Sequence, residues 1–181
     1  MRKSVKVASA IDIKNVVQGR GHDCGGLICD VYFNKKKVAT FHDDGWGGEP
    51  EYHFLVDGAK EEIEAYFKSI NLAQVVYDEL IAEGYTFFKS VDKVTFDWLF
   101  QSSVEKLATQ KGIDKDCKKA ICFGTPNYYQ MYQFKKVSKL EDILKFSNGL
   151  EVLQKAYDEA KTQKGEVLNS DEQLIALGVK L

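Results

Sequence analysis

The chain has 181 residues and a formal net charge of −2, from 25 basic and 27 acidic side chains. Such a small charge creates no overall field toward nucleic acid or an anionic membrane, so binding of that kind must come from a local patch. Because 44% of the residues are hydrophobic and 12% aromatic, the composition excludes a disordered chain and predicts one globular domain over residues 1–181.

Targeting and redox signals indicate a cytoplasmic protein. The basic N-terminal segment lacks the apolar stretch of a signal peptide, and no apolar run approaches the roughly 18 residues of a membrane span. The cysteines Cys24, Cys29, Cys117 and Cys122 are too few for a disulfide framework in a chain of this length. We therefore expect reduced thiols, a cytoplasmic location and no membrane partner.

Alternating apolar residues predict a sheet in the first third of the chain. Residues 4–17 alternate in part and suit one or two strands. Residues 27–33 and 38–42 form the clearest hairpin, around a polar turn at 34–37. A third strand at residues 51–56 completes a three-stranded meander.

The register of the hairpin follows from pairing Phe33 with Val38 across the turn. This pairing places Cys29 opposite His42. The face expected to point into the core carries five residues, Leu27, Cys29, Val31, Phe33 and Val38.

Three helices are predicted after the meander. Asp57 is the expected cap of the first, whose apolar face carries Ala59, Ile63, Tyr66, Phe67 and Ile70. Residues 72–82 form the second helix. Residues 95–111 form the third, which Gly112 is expected to end.

The second half returns to strands and then to helices. Residues 119–123 and 128–135 predict a second hairpin around Gly124-Thr125-Pro126. Two capping boxes, Ser138 with Glu141 and Ser170 with Gln173, predict helix starts on either side of a helix at residues 150–162. The order of elements predicts an α+β fold, with an antiparallel or mixed sheet packed with about five helices.

The chemically densest region contains all three histidines, His22, His42 and His53. A metal site can be drawn from Cys29 and His42 as a cross-strand pair, with Cys24 or His22 reaching in. The gap of five residues within each cysteine pair argues against zinc, whose ligands normally lie two to four residues apart. Buried thiols and hydrogen-bonded histidines are favoured, so no metal and no cofactor are expected.

Thiol catalysis would need a cysteine close to an oriented histidine. The triplet His22-Asp23-Cys24 has those residue types, but adjacent residues rarely point together. The triplet is therefore interpreted as a loop, and no catalytic residue is predicted.

A glycine-rich loop connects the second and third strands of the meander. It lacks the lysine and the glycine spacing of phosphate-binding loops, and the acidic residues around it would repel an anion. Asp43 and Asp44 are expected to form the turn beside Gly45. Trp46 either folds back as a lid on the sheet, which is favoured, or stays exposed as an interface anchor. The candidate binding residues are His42, Asp43, Asp44, Trp46, Glu49, His53 and Tyr129.

Tyr129 lies in the segment 127–136, where aromatics, amides and lysines interleave. Aromatic residues beside lysines on a sheet can stack nucleic-acid bases. Core packing explains the pattern as well, because alternation puts Tyr128, Tyr132 and Phe134 on one face. Packing is favoured over base stacking.

The stretch from Lys36 to Phe41, followed by Asp43-Asp44-Gly45-Trp46-Gly47-Gly48 and then Tyr52-His53-Phe54, resembles small uncharacterised proteins encoded by phages and prophages. The resemblance covers about a quarter of the chain and carries over no catalytic residue. It implies an accessory factor that binds host proteins or nucleotides.

These observations lead to one expected function and two alternatives. We expect a non-enzymatic accessory protein that binds a host or phage macromolecule, with inhibition of a host system as one form of its action. A protein is the expected partner. The first alternative is a small-molecule or nucleotide binder or hydrolase that uses the His22 to His53 region. The second is a binder of single-stranded nucleic acid through the segment around Tyr129.

Overall fold

A computed structural model describes residues 8–19, 26–163 and 166–181. The chain divides into two compact units, Met1–Ala108 and Thr109–Leu181. That the two fold together as one domain stays a prediction. The strands are β1 (Ile11–Gln18), β2 (Leu27–Phe33), β3 (Lys36–Asp43), β4 (Glu51–Phe54), β5 (Ala120–Thr125), β6 (Tyr128–Gln133) and β7 (Glu166–Val167). The α-helices are α1 (Ala59–Ser69), α2 (Leu72–Ala82), α3 (Phe96–Cys117), α4 (Gly149–Thr162) and α5 (Asp171–Ala176).

The first unit contains a four-stranded antiparallel sheet in the order β1-β2-β3-β4. The predicted meander is β2-β3-β4, and β1 adds a fourth strand to it. The five residues predicted to face the core are all buried. These antiparallel sheets and the separate helices confirm the predicted α+β class.

The predicted register of the hairpin is wrong. Phe33 pairs with Lys36 around a two-residue turn, in which Asn34 and Lys35 have φ values of 49° and 69°. A bulge then shifts the pairing, so that Cys29 lies opposite Phe41 and not opposite His42. The polar run at residues 34–37 suggested a four-residue turn, but the two-residue turn matches the right-handed twist of the strands.

Helices α1, α2 and the first part of α3 bury their apolar faces in the core beneath this sheet. Phe100 of α3 packs on β4, with ring centroids 5.1 Å from Tyr52 and 5.5 Å from Phe54. Helix α3 continues past Gly112 to Cys117, so the predicted helix end is wrong. Ile113 and Cys117 extend the apolar face and are buried, which outweighs the roughly 1 kcal/mol that an interior glycine costs.

The second unit contains the predicted second hairpin, within a sheet of order β6-β5-β7. The first four residues of β5 are buried, and α4 and α5 pack in the core beside them. Asp142, not Glu141, accepts from Ser138 Oγ at 3.0 Å, at the start of a short 3₁₀ helix (Leu140–Lys145). The cap of α5 is confirmed, because Gln173 N donates to Ser170 Oγ at 3.2 Å. In the described ranges, no helix combines the length and the apolar character needed to cross a bilayer.

Candidate functional site

The candidate residues of the first unit lie on the face of the four-stranded sheet that points away from the core, which we call the outer face. The strand register arranges this face in two cross-strand rows. One row contains Val17, Ile28, His42 and Glu51, and the other contains Lys14, Asp30, Thr40 and His53. His42 and His53 are therefore diagonal neighbours at the edge of the sheet, a spacing of about 7–8 Å.

The charge of Asp30 in the second row is balanced by contacts within the sheet. Asp30 accepts from Lys37 Nζ at 2.7 Å and from Asn15 Nδ2 at 2.7 Å. These hydrogen bonds hold the pKa of the Asp30 carboxyl below its ordinary value. Lys14 Nζ lies 4.4 Å from the ring centroid of Tyr32. This part of the face is held by its own contacts.

The other row presents apolar surface. Val17 is 59% exposed and Ile28 is 49% exposed, and the two are paired across β1 and β2. Next to them lie the exposed side chains of His42 and Glu51. An apolar pair beside two polar side chains on an open sheet is a contact surface of the mixed kind found in protein interfaces.

The loop at residues 43–50 lies at the end of this row. Asp43 Oδ1 accepts from Gly45 N at 2.8 Å, and Asp44 Oδ1 accepts from Trp46 N at 2.9 Å. The predicted turn-forming role of both aspartates is confirmed. Gly45 and Gly47 have φ values of 72° and 87°, a conformation in which a Cβ atom would be strained. The loop is therefore built by short local hydrogen bonds.

The base of the loop is fixed against the backbone of Gly26. A Cβ atom on Gly26 would lie 3.0 Å from the carbonyl oxygen of Asp43 and 3.1 Å from that of Asp44. Gly26 in turn accepts a hydrogen bond from Gly19 N at 2.7 Å. A side chain here would require the backbone of Asp43 and Asp44 to shift by a few tenths of an ångström, so this close approach fixes the base of the loop beneath its tip.

Trp46 at the tip of the loop is 67% exposed. The favoured prediction, a lid folded on the sheet, is wrong, and the alternative of an exposed indole is confirmed. Asp44 and Glu49 are exposed on either side of it. We use the name Trp46 surface for the set Val17, Ile28, His42, Asp44, Trp46, Glu49 and Glu51.

The metal site considered from the sequence is not brought together by β2 and β3. Cys29 is buried on the core side, whereas His42 is exposed on the outer face. Among residues 8–19, 26–163 and 166–181, no group of three His, Cys, Asp or Glu residues is placed to hold a metal ion. His22, Asp23 and Cys24 lie outside the described residues. Burial raises the pKa of the Cys29 thiol to about 11, which suits an inert core residue.

Tyr129, the candidate of the second unit, is half-buried. Its hydroxyl donates to Asp116 Oδ2 at 2.8 Å, and burial together with this bond raises the pKa of Tyr129. The predicted common face of its neighbours holds for Tyr132, which stacks on Phe123 with ring centroids 5.0 Å apart, and for Phe134. Tyr128 shares this face in the continuous register but is 87% exposed beside the turn, so the favoured core packing does not extend to it.

No pattern in the sequence predicts that Cys117 and Cys122 meet. Cys117 ends α3 and Cys122 lies in β5, so the chain reverses direction between them and both thiols enter one small buried cluster. The hydrogen bond between the thiols and their burial raise the pKa of Cys117. A spacing of five residues predicts where two side chains point only when both lie in the same helix or strand.

An exposed aromatic cluster was also missed. Tyr85 and Phe87 are exposed, and their ring centroids lie 5.8 Å apart. The ring centroids of Phe87 and Phe88 lie 4.7 Å apart, and those of Phe88 and Trp98 lie 5.1 Å apart in an edge-to-face arrangement. The sequence signal for this cluster is the aromatic run Tyr85-Thr86-Phe87-Phe88. It directly follows Gly84, where helix α2 has already ended.

No protein-family model, curated protein or solved structure matches this chain.

Proposed function

We propose that this chain is a non-enzymatic accessory protein that binds another protein through the Trp46 surface. The observation that carries the proposal is the exposed indole of Trp46 on a loop with a fixed base. Tryptophan is among the residues that contribute most to binding energy at protein interfaces. A fixed loop loses little conformational entropy on binding, so more of the contact energy is retained as affinity.

The residues around the indole indicate what kind of surface the partner presents. The apolar pair Val17 and Ile28 lies along the sheet, and exposed carboxylates of Asp44, Glu49 and Glu51 rim the loop. The complementary surface is an apolar pocket with basic residues at its edge. The resemblance to phage-encoded proteins favours a host or phage macromolecule as the owner of that pocket, with inhibition of a host system as one consequence.

The cytoplasm of the host cell is the proposed place of action. Cys29, Cys117 and Cys122 are buried as free thiols, a state that a reducing compartment preserves.

The two alternatives have less support. Among the described residues of the His22 to His53 region, both histidines, His42 and His53, are exposed on the outer face of the sheet. For nucleic acid, the aromatic residues of β6 do not form one exposed platform, because Tyr129 and Tyr132 are engaged with Asp116 and Phe123.

The test compares capture of partners by the wild-type chain and by Trp46→Ala. The matched control is Ile175→Ala, which removes an exposed apolar side chain from the second unit. We expect a stoichiometric partner in bacterial lysate that Trp46→Ala loses by at least about tenfold, since truncating an interface tryptophan costs about 2 kcal/mol or more. The control should retain it.

Reversal of charge at Glu49→Lys combined with Glu51→Lys should slow association and weaken its salt dependence, because rim charges act mainly on the association rate. Failure to recover any stoichiometric partner, or equal capture by all variants, would contradict the proposal.

A further inference from the structure

Strand β6 forms an open edge of the sheet in the second unit. The order β6-β5-β7 leaves one side of β6 without a strand neighbour in the described part of the chain. All six residues of β6 pair with β5 in one continuous register. An edge strand of this kind presents alternate N–H and C=O groups that can pair with another strand.

The other edges of the two sheets are protected in ways that β6 is not. Strand β1 carries Asp12 and Lys14 and is bent by an irregularity at Asn15, whose φ is 52°. Strand β4 has only four residues and includes Glu51, and β7 has only two and includes Glu166. Charges, bulges and short length are the devices by which proteins prevent pairing at an edge.

Strand β6 has none of these devices. Its sequence, Tyr-Tyr-Gln-Met-Tyr-Gln, contains no charged residue and no proline. Tyr128, Gln130, Met131 and Gln133 are exposed. Tyr129 is tied to Asp116 and Tyr132 is stacked on Phe123, so the strand is anchored in an extended form. An anchored, uncharged edge is prepared for strand addition.

We propose that β6 pairs antiparallel with β6 of a second copy of this chain. A two-fold axis normal to the sheet, passing beside Gln130 or Met131, keeps corresponding faces together and places only Tyr, Gln and Met side chains opposite one another. The product is a continuous six-stranded sheet in which β6 is central in both copies.

The charges beside β6 favour the antiparallel direction, and they favour β6 of a second copy as the partner strand. Lys135 and Lys136 follow β6 after Phe134. In the antiparallel arrangement these lysines lie past the end of the other copy's β6, beside its turn at residues 126–127, which carries no charge. A parallel arrangement would place them against their own counterparts, where like charges are destabilising. The edge is therefore complementary to itself in one direction only.

This inference is independent of the proposed function, because it uses residues of the second unit and none of the Trp46 surface. Either can fail without the other.

The test is sedimentation equilibrium of the wild-type chain from about 1 to about 200 µM. We expect a reversible increase from the 20.5 kDa monomer to twice that mass. Met131→Lys places a charge in the middle of the edge and should weaken dimerisation by at least about tenfold, as like charges meet across the axis. The control Gln163→Lys adds the same charge at an exposed helix end and should dimerise as the wild type does.

Hydrogen exchange of the wild-type chain supplies a second readout that needs no variant. Alternate amides of β6 should gain protection as the concentration rises, while those of β4, an edge strand of the other sheet, should not. If the chain stays monomeric throughout the concentration range, the proposal is overturned. The open edge of β6 would then serve only for strand addition by a different, extended peptide. A dimer that survives Met131→Lys, or one without new protection in β6, would overturn it as well.

Discussion

The backbone amide of Cys122 donates to Oδ1 of Asn169 at 2.8 Å, across 47 residues of sequence. The amide nitrogen of the same side chain donates to the carbonyl oxygens of Ala120 at 2.9 Å and Cys117 at 3.1 Å. Asn169 is only 4% exposed. One buried side chain thus completes the hydrogen bonding of the end of α3 and the start of β5.

Replacement of Asn169 by alanine should destabilise the second unit strongly. The change leaves a buried N–H and two carbonyl groups without this partner, and each buried unsatisfied group costs about 1–3 kcal/mol. We expect a loss of about 3 kcal/mol in urea denaturation followed by circular dichroism. Gln163→Ala, at an exposed position, is the control. A loss below about 0.5 kcal/mol for Asn169→Ala would show that the bonds are dispensable.

Two glycines in helices should respond in opposite directions to alanine. A Cβ atom on Gly149, at the start of α4, would lie 1.8 Å from the carbonyl oxygen of Ile143, whereas one on Gly112 would meet nothing within 4 Å. Gly149→Ala should cost about 3 kcal/mol because backbone must move. Gly112→Ala should stabilise by about 0.5–1 kcal/mol, since alanine is the better helix former. Thermal unfolding of the pair measures both, and equal shifts would contradict the packing described at Gly149.

The hairpin turn between β2 and β3 offers a stabilising change at Lys35. Its φ of 69° is strained for a side chain with a Cβ atom, by about 1–2 kcal/mol. Lys35→Gly relieves the strain, and the greater freedom of glycine in the unfolded chain removes part of the gain. A net increase of about 0.5–1 kcal/mol in the free energy of unfolding is expected.

The control for this change is Lys36→Gly, one residue later. Lys36 begins β3 and pairs with Phe33, so glycine there should destabilise by about 0.5–1 kcal/mol. If both variants lose stability equally, the two-residue turn is not the conformation in solution.

Glu105 should make stability depend on pH. Burial raises the pKa of its carboxyl above the ordinary value, and the charge of Asp43 adds to the rise. The folded state therefore holds the proton more tightly than the unfolded state, and this contribution to stability is complete below the unfolded pKa. It is lost as the pH rises through the folded pKa.

Glu105→Gln should consequently raise the melting temperature at pH 7. Glutamine can still accept the bond from Gln101 Nε2, which is 2.9 Å long in the wild type, and it carries no charge to bury. The gain should shrink toward pH 4, where wild-type Glu105 is protonated. Exposed Glu62→Gln is the control, and a gain that is equal at both pH values would contradict the burial of charge as its cause.

The sequence predicted the elements better than their pairing. Helix α2 spans the residues that were predicted, because apolar periodicity is written directly in the chain. The register was missed because it depends on a two-residue turn with Lys35 at positive φ and on a bulge beside Val38. Lysine is not a residue that signals such a conformation, and a bulge leaves no pattern in composition.

In the candidate site as well, the features set by local chemistry were predicted and those set by distant segments were not. The turn-forming roles of Asp43 and Asp44 follow from local chemistry and were predicted. The exposure of Trp46 depends on whether another segment covers it, which no local pattern reports. The meeting of Cys117 and Cys122 was missed for a related reason, since it requires the chain to reverse between a helix and a strand.

The bond from Cys122 to Asn169 has a consequence for synthesis on the ribosome. Strand β5, with its first four residues buried in the finished fold, leaves the ribosome long before β7 pairs with Phe123 and before Asn169 arrives. Until then an apolar strand is accessible to other chains, which is the state from which aggregation begins. Slow translation of residues 126–169 would lengthen that interval, and a chaperone that holds extended apolar segments would protect the nascent chain during it.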